Sequence, residues 1–184
     1  MNKSIRLLED CVFPYHPEFK RSSSMRKFAA GYPELFNLEG LVERTMAILG
    51  DYEFIDSAHC DFPDGTDCKT ASIRQRPQKE GSQSHLGEIS NVETAGGGQK
   101  RGALRCVVYC APRDRLDYYL LPKGFWSEII TYHPSSSIGK VMFSYHKGLD
   151  QIRKFEPFRL SSFKELACAP HNLHNRWQHL FEWG

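Results

Sequence analysis

Asp61, Asp64, Asp67 and Lys69 fall within nine residues of this 184-residue chain, in the stretch Asp61-Phe-Pro-Asp-Gly-Thr-Asp-Cys-Lys69. Carboxylate oxygens are the donors that a hard divalent cation prefers. An ammonium beside them can stabilise charge that develops on a reacting oxygen. Side chains two apart on an extended chain point to the same face, so Asp67 and Lys69 are expected side by side. This is the composition of a divalent-metal and catalytic cluster. The plain alternative is a polar turn with a solvated ion pair.

The elements around the cluster decide which acids can meet. Asp64-Gly65 between two strand-like runs is a strong hairpin signal. The first run is Tyr52–Phe62 and the second Thr66–Ile73. With an even loop Asp67 lies opposite Phe62, and Asp56 shares the face of Asp67 and Lys69. With a three-residue loop Asp67 lies opposite Pro63, and Asp61 faces Lys69. A slip of one residue exchanges the two answers. Asp61 is preferred because it is nearer, and Asp56 stays open. Asp64 falls in the turn itself.

Upstream, Leu38, Leu41, Val42, Thr45, Met46 and Leu49 follow a helical stripe, with Asn37 as N-cap and Gly50 as stop. Glu39 and Glu43 share one side of that helix, and Glu43 reaches the cluster if the helix packs across the hairpin. Ile5, Leu7, Leu8 and Val12 suit a short helix near the start. Downstream, 76–87 reads as polar loop, Glu88–Val92 as a short strand and 95–102 as a glycine-rich connector. The run 103–110 is apolar almost throughout and predicts a central buried strand, with 117–121 as its antiparallel neighbour. A short helix over 122–130, a strand over 139–145, a strand or helical turn over 149–155 and a weak helix over 163–167 complete the order. The fold expected is mixed α/β (α+β), a central mixed sheet flanked by helices, in a single domain with an N-terminal arm (1–36), a core (37–121) and a C-terminal extension (122–184).

Charge is unevenly distributed although the net is only +2. Glu53, Asp56, Asp61, Asp64 and Asp67 form an acidic knot. From Lys69 to Arg113 there follow eight Lys and Arg against three acids. An acidic knot beside a basic region suits a metal-dependent enzyme acting on a polyanion. The six cysteines form no Cys-x-x-Cys pair, no secretory leader is recognisable, and no run reaches the roughly 20 apolar residues of a membrane span. An intracellular (cytoplasmic) protein without a membrane partner is expected.

The order helix, Asp…Asp-x-Lys, central strand resembles the core of the PD-(D/E)xK nuclease superfamily, which includes many restriction endonucleases. The resemblance rests on Asp67-Cys-Lys69 and an upstream acid, and covers about 37–121. It implies a restriction-endonuclease-like core and a DNA endonuclease of restriction (type II) kind, acting as a homodimer. It implies Asp61, Asp67 and Lys69 as catalytic residues. Asp61 or Asp56, with Asp67, would hold Mg²⁺, for which Mn²⁺ can substitute. Lys79, Lys100, Arg101 and Arg105 would contact the DNA backbone, and His85, Asn91 and Gln99 have groups suited to reading bases.

Three other readings compete. His59, Cys60, Cys68 and His85 are possible zinc ligands, although their spacing matches no strong zinc pattern. His171-Asn-Leu-His-Asn175 superficially resembles a His-Asn-His nuclease site, without a hairpin-and-helix frame around it. A non-catalytic nucleic-acid-binding or regulatory module would keep the basic region and use the acidic cluster only structurally.

Overall fold

A computed structural model describes residues 3–16, 38–55, 60–76, 84–94, 102–132, 138–145 and 154–170. Its axis is β3 (Leu104–Cys110), every residue of which is buried. Val107 and Tyr109 enter one apolar layer, while Leu104, Cys106 and Val108 enter the other. Burial on both faces is why this strand reads as a continuous apolar run. β1 (Asp67–Arg76) runs parallel to β3, with Asp67 opposite Leu104 and Lys69 opposite Cys106. β4 (Arg115–Leu121) lies antiparallel on the other side of β3. The two-residue β7 (Arg159–Leu160) closes that edge, so that β1, β3, β4 and β7 form a four-stranded mixed sheet.

A second, antiparallel sheet contains β2 (Ser84–Thr94), β6 (Ile138–Tyr145) and β5 (Ile130–Tyr132). It joins the first where Arg74–Arg76 of β1 pairs with Ser84–Leu86 of β2. The strand order is β5-β6-β2-β1-β3-β4-β7.

On one side of the sheet lie α1 (Lys3–Arg6) with the π-helical turn Leu7–Val12 that continues it, α2 (Leu38–Gly50) and α4 (Phe163–Cys168). They bury Leu7, Leu8, Val12, Leu41, Val42, Met46, Phe163 and Leu166 against Phe62, Cys68, Val107 and Leu120. On the other side, Trp126 of α3 (Lys123–Ile129) packs with Phe155, Phe158, Ile73 and Val141. α4 is capped at Ser162, whose Oγ accepts the Glu165 N–H at 3.1 Å, while Glu165 Oε2 accepts the Ser161 N–H at 2.7 Å. No helix among the described residues is long and apolar enough to cross a membrane.

Several expectations change. Tyr52–Phe62 supplies no strand among its described residues, and the expected hairpin is a compact loop. The Ile55 N–H donates to Asp61 O at 3.0 Å, and the Asp61 and Phe62 N–H groups donate to Thr66 O at 3.1 and 3.3 Å. The Gly65 N–H donates to Phe62 O at 3.0 Å, with Gly65 at φ 79°. These bonds satisfy the backbone locally, and they bring the Phe62 ring into the core beside Tyr52. β2 starts at Ser84, inside the segment read as loop; at Gly87 a Cβ would meet Ser72 O and Ile73 Cγ1 at 2.9 Å, so the glycine permits the close approach to β1. α2 does end at Gly50, but the left-handed residue is Asp51, at φ 55°. Gly50 is needed for space, since a Cβ there would lie 2.2 Å from the Tyr52 ring. Asn37, expected as the cap of α2, lies outside the described residues. Of the segment 149–155, Phe155 is buried ahead of a 3₁₀ turn, Glu156–Phe158.

Candidate functional site

The compact loop brings Asp61 to the start of β1. Its Oδ2 accepts the Cys68 N–H at 2.7 Å, in the position a neighbouring strand would otherwise occupy. Asp61 and Asp67 are only 8 % and 1 % exposed, and their carboxyl groups lie close enough to act on each other's charge. Lys69, on the same face of β1 as Asp67, places Nζ 2.7 Å from Asp67 Oδ2. Two carboxylates, one ammonium and little water make up the centre of the site.

Its electrostatics follow from that crowding. Burial and then the charge of Asp67 push the Asp61 pKa up to about 7. The Cys68 N–H acts in the opposite direction, and Glu43 adds repulsion. Burial opposes the Lys69 charge, but Asp67 and Asp61 outweigh it and the lysine pKa is raised. Burial, with Glu43, Asp61 and Asp67 nearby, pushes the Cys68 thiol well up.

α2 crosses β1 beside this pair. Glu39 Oε1 accepts from Thr70 Oγ1 at 2.6 Å and from Lys3 Nζ at 2.7 Å, and Lys3 also donates to Thr70 Oγ1 at 2.8 Å. Glu43, one turn further along, is close enough for its charge to act on Asp61. Helical spacing let Glu43 reach the cluster only if the helix packed across it, with simple exposure the ordinary alternative; the residue is half-buried. Lys3 carries no local signal, because its partners are 36 and 67 residues away.

Asp64 serves the turn, as its position suggested. Its Oδ1 accepts the Thr66 N–H at 2.9 Å and the Thr66 hydroxyl at 2.6 Å, and its Oδ2 accepts from Arg105 Nη2 at 2.9 Å. Burial works against its charge, but these bonds prevail and hold its pKa below the usual value.

Arg105 was expected on a DNA backbone, and the structure corrects this. Its side chain is completely buried. Nε donates to Thr66 Oγ1 at 2.9 Å, Nη1 to Leu166 O and Ala167 O, and Nη2 to Tyr52 Oη, Asp64 Oδ2 and Ala169 O. The rings of Tyr52 and Phe62 flank the guanidinium, 5.2 and 5.7 Å from Cζ. No donor is left to face a phosphate.

No family model, curated protein or solved structure matches the chain.

The site therefore has to be weighed on its own chemistry. Among the described residues no group of three or more His, Cys, Asp and Glu side chains is arranged to hold a metal ion. Asp61 and Asp67 do form a two-carboxylate, all-oxygen set. Mg²⁺ is commonly bound by one or two carboxylates, with water and phosphate oxygens completing its shell. One lysine against two carboxylates also leaves room for positive charge once both are ionised. The residues present suit Mg²⁺ on these grounds. Of the residues read as possible zinc ligands, Cys68 is fully buried in the apolar layer beneath α2, and His59 and the side chain of His85 lie outside the described residues.

Asp56, Lys79, Lys100, Arg101, His59, Gln99, His171 and His174 lie outside the described residues, as do the side chains of His85 and Asn91. Gly102, the residue after Arg101, is described. A Cβ there would lie 2.3 Å from Gly65 O, and its own carbonyl accepts the Trp126 Nε1–H at 3.1 Å. The chain entering β3 thus abuts the turn that supports Asp61.

Proposed function

We propose that the chain is a Mg²⁺-dependent endonuclease that hydrolyses phosphodiester bonds in DNA, with Asp61, Asp67 and Lys69 as its catalytic group. One observation carries the reading: two buried carboxyl groups close enough to act on each other's charge, with the Lys69 ammonium 2.7 Å from one of them. Asp61 and Asp67 would hold the ion, with Mn²⁺ able to replace it. When bound, the ion polarises a phosphate oxygen and acidifies a water. Asp61 loses the proton it carries near neutrality, which creates the second charged ligand. Lys69 orients Asp67, and its ammonium stabilises negative charge gathering on the phosphate. Lys79, Lys100 and Arg101 remain the proposed backbone contacts. A restriction-endonuclease-like core and a homodimer belong to the same reading.

The test is cleavage of supercoiled plasmid with Mg²⁺ by wild type, Asp67→Ala and Lys69→Ala. Each substitution is expected to lower the rate by ~10²–10³-fold, the size of effect for a group that stabilises developing charge. Undiminished cleavage by both variants overturns the assignment.

The second reading is a non-catalytic nucleic-acid-binding module in which Asp67 and Lys69, 2.7 Å apart, serve only as a structural ion pair. DNA binding that persists in EDTA, with no cleavage under Mg²⁺ or Mn²⁺, would select it.

A further inference from the structure

Asp61 is held by a turn, and the turn is held by an arginine. Thr66 stands between them: its carbonyl accepts the Asp61 N–H at 3.1 Å, and its hydroxyl oxygen accepts from Arg105 Nε at 2.9 Å. Arg105 Nη2 grips the same turn at Asp64 Oδ2. The other edge of the guanidinium faces Leu166 O, Ala167 O and Ala169 O, at and just beyond the end of α4. Helix ends leave such carbonyls without intrahelical partners and carry partial negative charge. Across the strands Arg105 is paired in register with Cys68, the residue whose N–H holds the Asp61 carboxylate.

We infer that Arg105 is a positioning residue for the Asp61–Asp67 pair, acting through Asp64 and Thr66 and anchored on the terminal carbonyls of α4. This role deepens the proposed nuclease reading and rests on it for its catalytic meaning. The planar fork of five N–H donors suits the task, because its two edges bond in different directions at once. Lysine has a single nitrogen and cannot span the turn and the helix end together. Arg105 touches neither substrate nor Asp61. Its effect passes through the Thr66 carbonyl to the Asp61 backbone and from there to the carboxylate on Cys68.

The test uses the full chain with Thr66→Val, Asp64→Asn and Arg105→Lys. The first two cut the connection on the turn side and leave the arginine on α4, which protects the fold. Two readouts are taken on variants that still melt cooperatively: steady-state plasmid cleavage, and hydrogen exchange of the Cys68 amide against those of Val107 and Val108. Thr66→Val and Asp64→Asn are expected to lower kcat by ~10–100-fold with KM for DNA unchanged, as small misplacements of catalytic groups do. The Cys68 amide should exchange at least about tenfold faster while Val107 and Val108 keep wild-type rates. Arg105→Lys should reproduce the Cys68 effect although it retains the charge. A lower melting temperature with unchanged kcat and unchanged Cys68 exchange would reduce Arg105 to a core residue and overturn the inference. If wild type cleaves no DNA, the nuclease reading fails, and the Cys68 comparison alone decides whether Arg105 positions the pair.

Discussion

Asp61 sets the pH response of the site. Its carboxyl titrates near 7 in the folded chain, against an ordinary value of 3.8. The native state therefore favours the protonated form. The stability this confers is fully present below about pH 4 and is lost as pH rises through about 7. Melting of the metal-free protein between pH 4 and 8 should show that decline, and Asp61→Asn should flatten it; an equal slope in the variant would rule out Asp61 as its source. Added Mg²⁺ should act in the opposite direction, because cation and proton compete for the same oxygens. The concentration for half-maximal stabilisation is expected to fall steeply from pH 6 to 8. At this scale the sequence carried part of the site. The spacing of two placed Lys69 beside Asp67, and nearness favoured Asp61, although that residue arrives on a loop held by the Cys68 amide rather than on a partner strand. Arg105 was misassigned against the chain's own pattern. A lone arginine in an otherwise apolar buried strand needs buried acceptors, which a surface phosphate cannot be.

Among the elements, the turn Asp61–Thr66 has little freedom. The chain entering β3 packs against it at Gly102, where a Cβ would stand 2.3 Å from Gly65 O. Gly102→Ala should force a backbone shift and cost ~1–3 kcal/mol, as overpacking does, read as a lower melting temperature together with slower cleavage. At Gly124 in α3 an added Cβ meets nothing within 4 Å, so Gly124→Ala should be neutral or slightly stabilising. Equal melting temperatures for the two variants would contradict this account. The helical stripe of α2 and the apolar run of β3 were legible because burial leaves a periodic trace. The hairpin was misread because an Asp-Gly pair signals a turn and not the length of the strands around it. Here Asp64 closes the turn on Thr66, and burial of Phe62 removes the flanking run from any strand.

For the molecule as a whole, β1 belongs to two sheets but is unequally committed to them. It pairs with β3 over seven residues, Asp67–Ile73, and with β2 over three, Arg74–Arg76. Native-state hydrogen exchange should find β2, β5 and β6 opening at lower free energy than β1, β3 and β4. A single exchange free energy for all six strands would contradict that division. The parallel pairing of β1 with β3 had no marker in the sequence, because register between distant strands is written in packing and not in any local motif. The same distance has a consequence in time. Arg105 lies 61 to 64 residues ahead of the three carbonyls that anchor it. During synthesis Asp61, Asp67 and Lys69 leave the ribosome well before that anchor exists. A nascent chain stopped short of Leu166 carries every residue of the acidic cluster, and Arg105 itself, without any of the carbonyls on which the arginine is anchored.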